Sequence, residues 1–247
     1  MTERPILFSA PMVRAILAGT KTQTRRVVKS HKAFTEWGVK GPDNAYDATV
    51  DDAGQGFFLV AGDQGYAGPV PCPYGQPGDR LWVRETWSPD FANHYPNQPA
   101  FYAADGHHHI DIETRDGVRG IYSPESRVFV PFKWRPAIHM PRRASRIMLE
   151  VTGVRVERLQ DITEADAIAE GARRFDDIPV GTPRAYGDLC RWSMESPRDT
   201  DECLSTARMA FANLFCKVNG KRVRGAVDFS RWDSNPWVWV VEFRRLP

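Results

Sequence analysis

Lys21 and Thr24 stand three residues apart in the run Gly19-Thr20-Lys21-Thr22-Gln23-Thr24-Arg25-Arg26. The run holds one amine, three hydroxyls, an amide and two guanidiniums. An amine beside a hydroxyl is one way to make a nucleophile, because the amine accepts the proton that the hydroxyl must lose. In a helical turn or tight bend the two side chains meet. In a plain strand they point to opposite faces. The run also reads as a basic loop after a surface helix, and spacing alone leaves both readings open. A third candidate is Glu170. It is singled out by its place at a helix end, where a carboxylate is disfavoured.

The elements that must position these groups are legible as patterns. Ser9 reads as a helix cap, Pro11 suits a first turn, and Met12, Ile16 and Leu17 recur at helical spacing. Gly19 suits the left-handed position past the helix end. The helix is expected over about 10–19. A second helix is expected over about 163–170, capped by Thr163 with Asp166 three residues on. Gly171 stops it, which leaves Glu170 at its C-terminal end. There the macrodipole opposes a carboxylate by about 0.3–1 kcal/mol, and a residue set against its local preference is a candidate for function. An exposed Glu of negligible cost is the competing reading.

Further along, Gly78-Asp79 leads into an alternating strand. It puts Leu81, Val83 and Glu85 on one face and Arg80, Trp82, Arg84 and Thr86 on the other. Two arginines around an indole suit a base or a phosphate-bearing ligand, and equally an ordinary surface strand. Arg142, Arg143 and Arg146 form the densest basic cluster, with phosphates as natural partners. Residues 145–158 alternate as a strand broken at Gly153, residues 199–217 read as a helix, and the Trp-rich stretch 236–243 reads as a terminal strand. Between these islands lie 30–76, 88–130 and 172–198. All three are read as insertions lying outside the core, and within 30–76 only 56–60 reads as a strand.

At 247 residues and 42% hydrophobic content the chain suits one domain, 1–247, with insertions. Its net charge of +2 does not by itself argue for nucleic acid. Cys72, Cys190, Cys203 and Cys216 include no C-x-x-C pair, so a structural zinc site is not expected. His107, His108 and His109 read as a polar loop before a metal site. No signal-like or membrane-spanning run stands out, so a cytoplasmic location and no membrane partner are expected. Walker, GxGxxG, HExxH and GxSxG motifs are absent from the sequence.

Taken in order, the islands resemble an ASCH domain, a PUA-like β-barrel family associated with RNA. They are Gly19-x-Lys21-Thr22-x-Thr24-x-Arg26, Gly78-Asp79-Arg80-Leu81-Trp82-Val83, Leu149-Glu150-Val151-Thr152, Asp166-Ala167-x-x-Glu170-Gly171 and Trp237-Val238-Trp239-Val240-Val241-Glu242-Phe243. The resemblance is nearer to the longer ASCH proteins of bacteriophages and prophages, and it covers well under two thirds of the chain. It implies a mixed α/β (α+β) fold with a PUA-like β-barrel, flanking helices and long loop insertions. Some small ASCH proteins are amidohydrolases that remove acetyl from N4-acetylcytidine through a Lys, a Thr and a Glu. By motif these fall on Lys21, Thr24 and Glu170, with Glu150 and Glu85 as fallbacks for the Glu. The resemblance then implies a modified nucleoside or nucleic acid as partner, RNA before DNA, with Arg26, Arg84, Trp82 and Arg142 as binding residues. It implies no metal and no cofactor, and host cytoplasm for a phage-encoded chain. A non-catalytic RNA- or DNA-binding module of a phage and a phage accessory or morphogenetic protein are the alternatives.

Overall fold

The structure, a computed structural model, describes residues 1–36, 41–60, 66–89, 100–106, 112–123, 127–181, 190–223 and 226–247. In chain order the first half forms β1 (Glu3–Leu7), α1 (Ala10–Leu17), β2 (Gln23–Val27), α2 (Lys32–Glu36), β3 (Ala45–Val50), β4 (Gln55–Val60), β5 (Tyr66–Pro71), β6 (Arg80–Arg84), β7 (Trp87–Ser88) and β8 (Phe101–Tyr102). Then follow β9 (Ile112–Arg115), β10 (Val118–Ser123), β11 (Val128–Pro131), β12 (Met148–Arg158), α3 (Glu164–Ala169), β13 (Arg173–Arg174) and β14 (Trp192–Ser193). The chain closes with α4 (Ala207–Asn219), β15 (Arg222–Val223), β16 (Ala226–Val227), α5 (Ser230–Asp233) and β17 (Trp237–Arg245). The fold is mixed α/β. Among the described residues no helix is long and apolar enough to cross a membrane.

The sequence islands meet in one five-stranded sheet of order β1-β6-β12-β17-β2, parallel only between β1 and β6. Strand β12 bulges between Val151 and Gly153, where the alternation breaks. Strand β17 is an almost unbroken apolar run because both its faces are covered. Trp237, Trp239, Val241 and Phe243 join a core with Ile6, Leu81, Leu149 and the α1 residues Val13 and Ile16. Val238 and Val240 join a second core with Phe211, Leu214 and Phe215 of α4.

The sheet is open, which corrects the expectation of a closed or nearly closed barrel. Edge strands β1 and β2 do not pair. Side chains of α1 (Met12) and α4 (Phe211, Leu214) lie beside β2 instead. A side chain reaches across the gap: the Arg26 guanidinium donates to the Leu7 carbonyl at 2.6 Å.

Helix α3 carries the expected capping box, Thr163 with Asp166. Ser9 holds the cap position of α1, but its hydroxyl makes no capping bond. The helix expected from 199 starts at Ala207, after a short 3-10 turn at Thr200–Glu202. Thr206 accepts from the Met209 amide, and Glu164 of α3 accepts from the amides of Ala207 (2.9 Å) and Arg208 (3.2 Å). A carboxylate there suits the positive end of the helix.

The insertions depart furthest from expectation. Residues 30–76 supply α2 and the antiparallel sheet β3-β4-β5, and their Phe34, Phe58, Ala67 and Val70 belong to the main core. Phe58 meets Trp237 and Trp239 edge-on, with ring centroids 6.1 and 6.5 Å apart. Strand β4 crosses Trp239 at Gly56, where a Cβ would lie 2.7 Å from the indole. Within 88–130, β9-β10-β11 form a separate sheet, and Phe101 and Ile121 pack with Phe132 in a small cluster. From 172–198, Ala172, Trp192 and Met194 pack in the α4 core. If 30–76 is part of the core, Phe58→Ala costs about 3–5 kcal/mol in urea denaturation, as for a buried aromatic. A loss under about 1 kcal/mol, typical of a surface change, contradicts this packing.

Candidate functional site

The segment after α1 is held on three sides. Gly19 takes the left-handed conformation (φ 74°). The amides of Thr20 and Lys21 both donate to the Ala15 carbonyl, at 2.9 and 3.1 Å. Thr22 donates to Ala169 at the end of α3 and accepts from Phe243 of β17, both at 2.8 Å. Lys21 thereby turns inward and is only 2% exposed. Its ammonium donates to the Gln23 carbonyl (2.8 Å), the Glu170 carbonyl (2.7 Å) and the Glu170 carboxylate (2.7 Å). Those three bonds use every N–H that a lysine has. The Glu170 carbonyl is among those a helix end leaves unpaired, so one cation satisfies both the helix end and the carboxylate set beside it. Gly171 follows with φ 107°, and a Cβ there would sit 3.1 Å from the Ala15 Cβ and 3.5 Å from the Lys21 Cβ. The positive φ is what favours glycine here, and the closest neighbour a Cβ would meet is the Ala15 methyl.

Strand alternation divides β2. Gln23 and Arg25 pair across from Glu242 and Val240, on the α4 side, whereas Thr24 and Arg26 pair across from Val241 and Trp239, on the side of the main core. The Arg25 side chain is fully buried. It binds Glu157 at 2.5 Å, Asp166 at 3.3 Å and the second oxygen of Glu170 at 3.3 Å. Gln23 donates to Asp166 at 3.0 Å, and Arg155 bridges Glu157, Asp166 and Glu242. Glu170 therefore has one oxygen on Lys21 and the other on Arg25.

Charges respond to this setting. Burial pulls the Lys21 ammonium below its ordinary pKa; the charge and hydrogen bond of Glu170 oppose the shift, and Arg26 and Arg25 add to it. For Asp166, burial works against ionisation, but the bonds from Gln23 and Thr163 and the charge of Arg25 outweigh it and hold the carboxyl at about 2.

Thr24 is 1% exposed, and its hydroxyl has no hydrogen-bond partner among the described residues. It lines a recess of about 20 Å³ together with Arg25, Arg26, Glu170, Met194 and Phe211. That volume holds about one water. The Arg26 guanidinium stands 5.2 Å from the Phe8 ring centre and the Lys21 amine 5.6 Å. The Arg26 Nε is buried without a partner.

The structure thus brings Lys21 and Glu170 into contact, and Thr24, Arg26 and Glu170 line one recess. It leaves the other expected binding residues elsewhere. Arg84 and Trp82 point away from Leu81 and Val83, on the far face of β6; Arg84 donates to the carbonyls of Ile138 and Met140 and covers the indole. Arg142 pairs with Glu3 at the surface. The fallback carboxylates are occupied too, Glu150 by Arg244 and Glu85 by Arg146. The histidines 107–109 lie outside the described residues, and among those described no group of His, Cys, Asp or Glu is arranged to hold a metal. Sequence reasoning missed Gln23, Arg25 and Phe8, and took Asp166 for a cap alone. The available signal was the period of two in β2, which sets Gln23 and Arg25 on a common face.

Compared with models of known protein families, with curated proteins and with solved structures, the chain matches none.

Two outcomes follow from the ion cluster. Lys21→Met leaves Glu170 buried with Arg25 alone and costs about 3–5 kcal/mol in chemical denaturation, as for one partner removed from a buried pair; a neutral variant contradicts the pair. A carboxyl held at about 2 adds stability above the unfolded value near 4, and this is lost as pH falls toward 2. Asp166→Asn therefore flattens the acid limb of the stability curve. An unchanged limb contradicts the assignment.

Proposed function

We propose that this chain is an amidohydrolase acting on an N4-acylated cytidine, as nucleoside or within nucleic acid, with RNA favoured over DNA. The observation that carries the reading is the 2.7 Å contact of Lys21 with Glu170, residues 149 apart in sequence. The same amine lies 2.8 Å from the Gln23 carbonyl, one peptide unit from Thr24. The likeness to ASCH amidohydrolases, and with it the PUA-like fold, is part of this reading. It rests on the motif order and on residue types at the matching positions.

The chemistry uses what the recess holds. In its neutral form Lys21 accepts the Thr24 proton as the hydroxyl oxygen attacks the acyl carbonyl. The developing oxyanion faces the Arg26 guanidinium, whose Nε is free to donate. The C–N bond breaks, the cytosine amine leaves with a proton from Lys21 or Glu170, and water then hydrolyses the acyl-threonine. Burial of Lys21 favours the neutral amine this step needs.

The tightness of the recess favours a second reading, a non-catalytic nucleic-acid-binding module. A cytosine enters only if Met194 and the α4 side chains give way.

Incubation with N4-acetylcytidine separates the two. The enzyme releases cytidine and acetate at a rate that rises with pH to a midpoint below lysine's ordinary value. Thr24→Ala abolishes turnover and keeps ligand binding, because it removes the nucleophile and little volume. A binding module leaves the substrate intact and is indifferent to Thr24→Ala, while Arg26→Ala weakens its binding and lowers the salt slope.

A further inference from the structure

The recess of Thr24 has a neighbour beyond Arg26. The next residues of the chain, Val27, Val28, Lys29 and Ser30, line a second and wider cleft of about 520 Å³ with Gly41, Pro42, Asp43, Arg231, Ser234 and Pro236. Asn219, at the end of α4, lines both spaces. The two spaces therefore adjoin at Asn219, the inner one lined by Thr24, Arg25 and Arg26 and the outer one by the residues that follow them. Their polarity differs. The inner part is walled by Phe211, Leu214 and Phe215, apolar side chains that must give way before a base can enter. The outer part presents the Lys29 amine and the Arg231 guanidinium, both exposed and neither in an ion pair among the described residues. Among the described residues Asp43 is the one carboxylate lining it, against the two cations Lys29 and Arg231.

We infer that the outer cleft binds phosphate groups of a strand that carries the acylated cytidine, so that the substrate is an oligonucleotide and not a free nucleoside. The inference rests on the amidohydrolase reading for the identity of the base and on the cleft for the strand. Lys29 is five positions beyond Thr24, about 16 Å at strand rise. That span directs its amine to a neighbouring nucleotide's phosphate before the reacting nucleotide's own. A phosphate on the same nucleotide is the competing source of the same chemistry, and the experiment separates the two.

The test compares kcat/KM for N4-acetylcytidine, its 5′-monophosphate and an RNA pentanucleotide with N4-acetylcytidine at the centre. The pentanucleotide is expected to exceed the nucleoside by about a hundredfold, tenfold for each of two charge-assisted contacts. The monophosphate should stay near the nucleoside. Lys29→Ala/Arg231→Ala pulls the ratio of pentanucleotide to nucleoside toward one, and so does added salt. A ratio near one in the wild type, a monophosphate as good as the pentanucleotide, or a ratio unmoved by the double variant overturns the inference. Binding of a fluorescein-labelled pentacytidylate supplies a readout without turnover. Weaker binding by the double variant supports the cleft, and equal binding overturns it. No turnover of any substrate, with Lys29- and Arg231-dependent binding intact, removes the amidohydrolase reading and leaves the strand-binding cleft standing.

Discussion

An ammonium withdrawn from water must be surrounded by acceptors, or its burial is prohibitive. Lys21 meets that demand with two carbonyls and one carboxylate, and much of the structure follows from where they come from. One carbonyl belongs to the first residue of β2. The other carbonyl and the carboxylate belong to the end of α3. The amine can reach all three only if α1 stops at Gly19, α3 stops at Gly171 and β2 lies beside β17. Each condition is visible as a separate local device: a left-handed glycine at 19, a second positive-φ glycine at 171 packed against Ala15, and an antiparallel ladder.

Glu170 sits where a helix end disfavours it, and the neighbouring cations reverse that preference. Lys21 takes one oxygen and Arg25 the other. Arg25 is held in turn by Glu157 and Asp166 on the α4 side of β2. The strand thus separates two tasks. One face carries an ion network that fixes the carboxylate. The other carries Thr24 and Arg26, whose Nε is buried without a partner. A network that orients groups and a face that leaves groups unspent are what a reactive site needs from its scaffold.

Much of this was legible in the sequence, and the parts that were not share a cause. Local signals placed Gly19, the Thr163 cap, the Gly153 bulge and Glu170 at its helix end, because each depends on neighbours within a few residues. Alternation correctly split β6 into Leu81 and Val83 against Trp82 and Arg84. It gives no sign of what covers the second face, here the carbonyls of Ile138 and Met140. Residues 30–76 read as loop because the surface that orders them, Trp237 and Trp239, lies far along the chain. Their few apolar residues find a core only in three dimensions. Closure is illegible for a related reason: motif order identifies the strands, but a closed barrel depends on whether β1 and β2 pair. Here they do not pair, and the Arg26 guanidinium reaches across to the Leu7 carbonyl.

The central claim is that the Thr24 hydroxyl is the nucleophile served by the Lys21–Glu170 pair. Rapid acid quench during turnover of N4-acetylcytidine, followed by peptide mass analysis, tests it directly. The account predicts one acetyl group on the peptide containing Thr24, assigned by fragmentation to that residue and absent from Thr24→Ala. Turnover with no acetyl on Thr24 at any quench time, or acetyl on another residue at the same rate as product release, contradicts it.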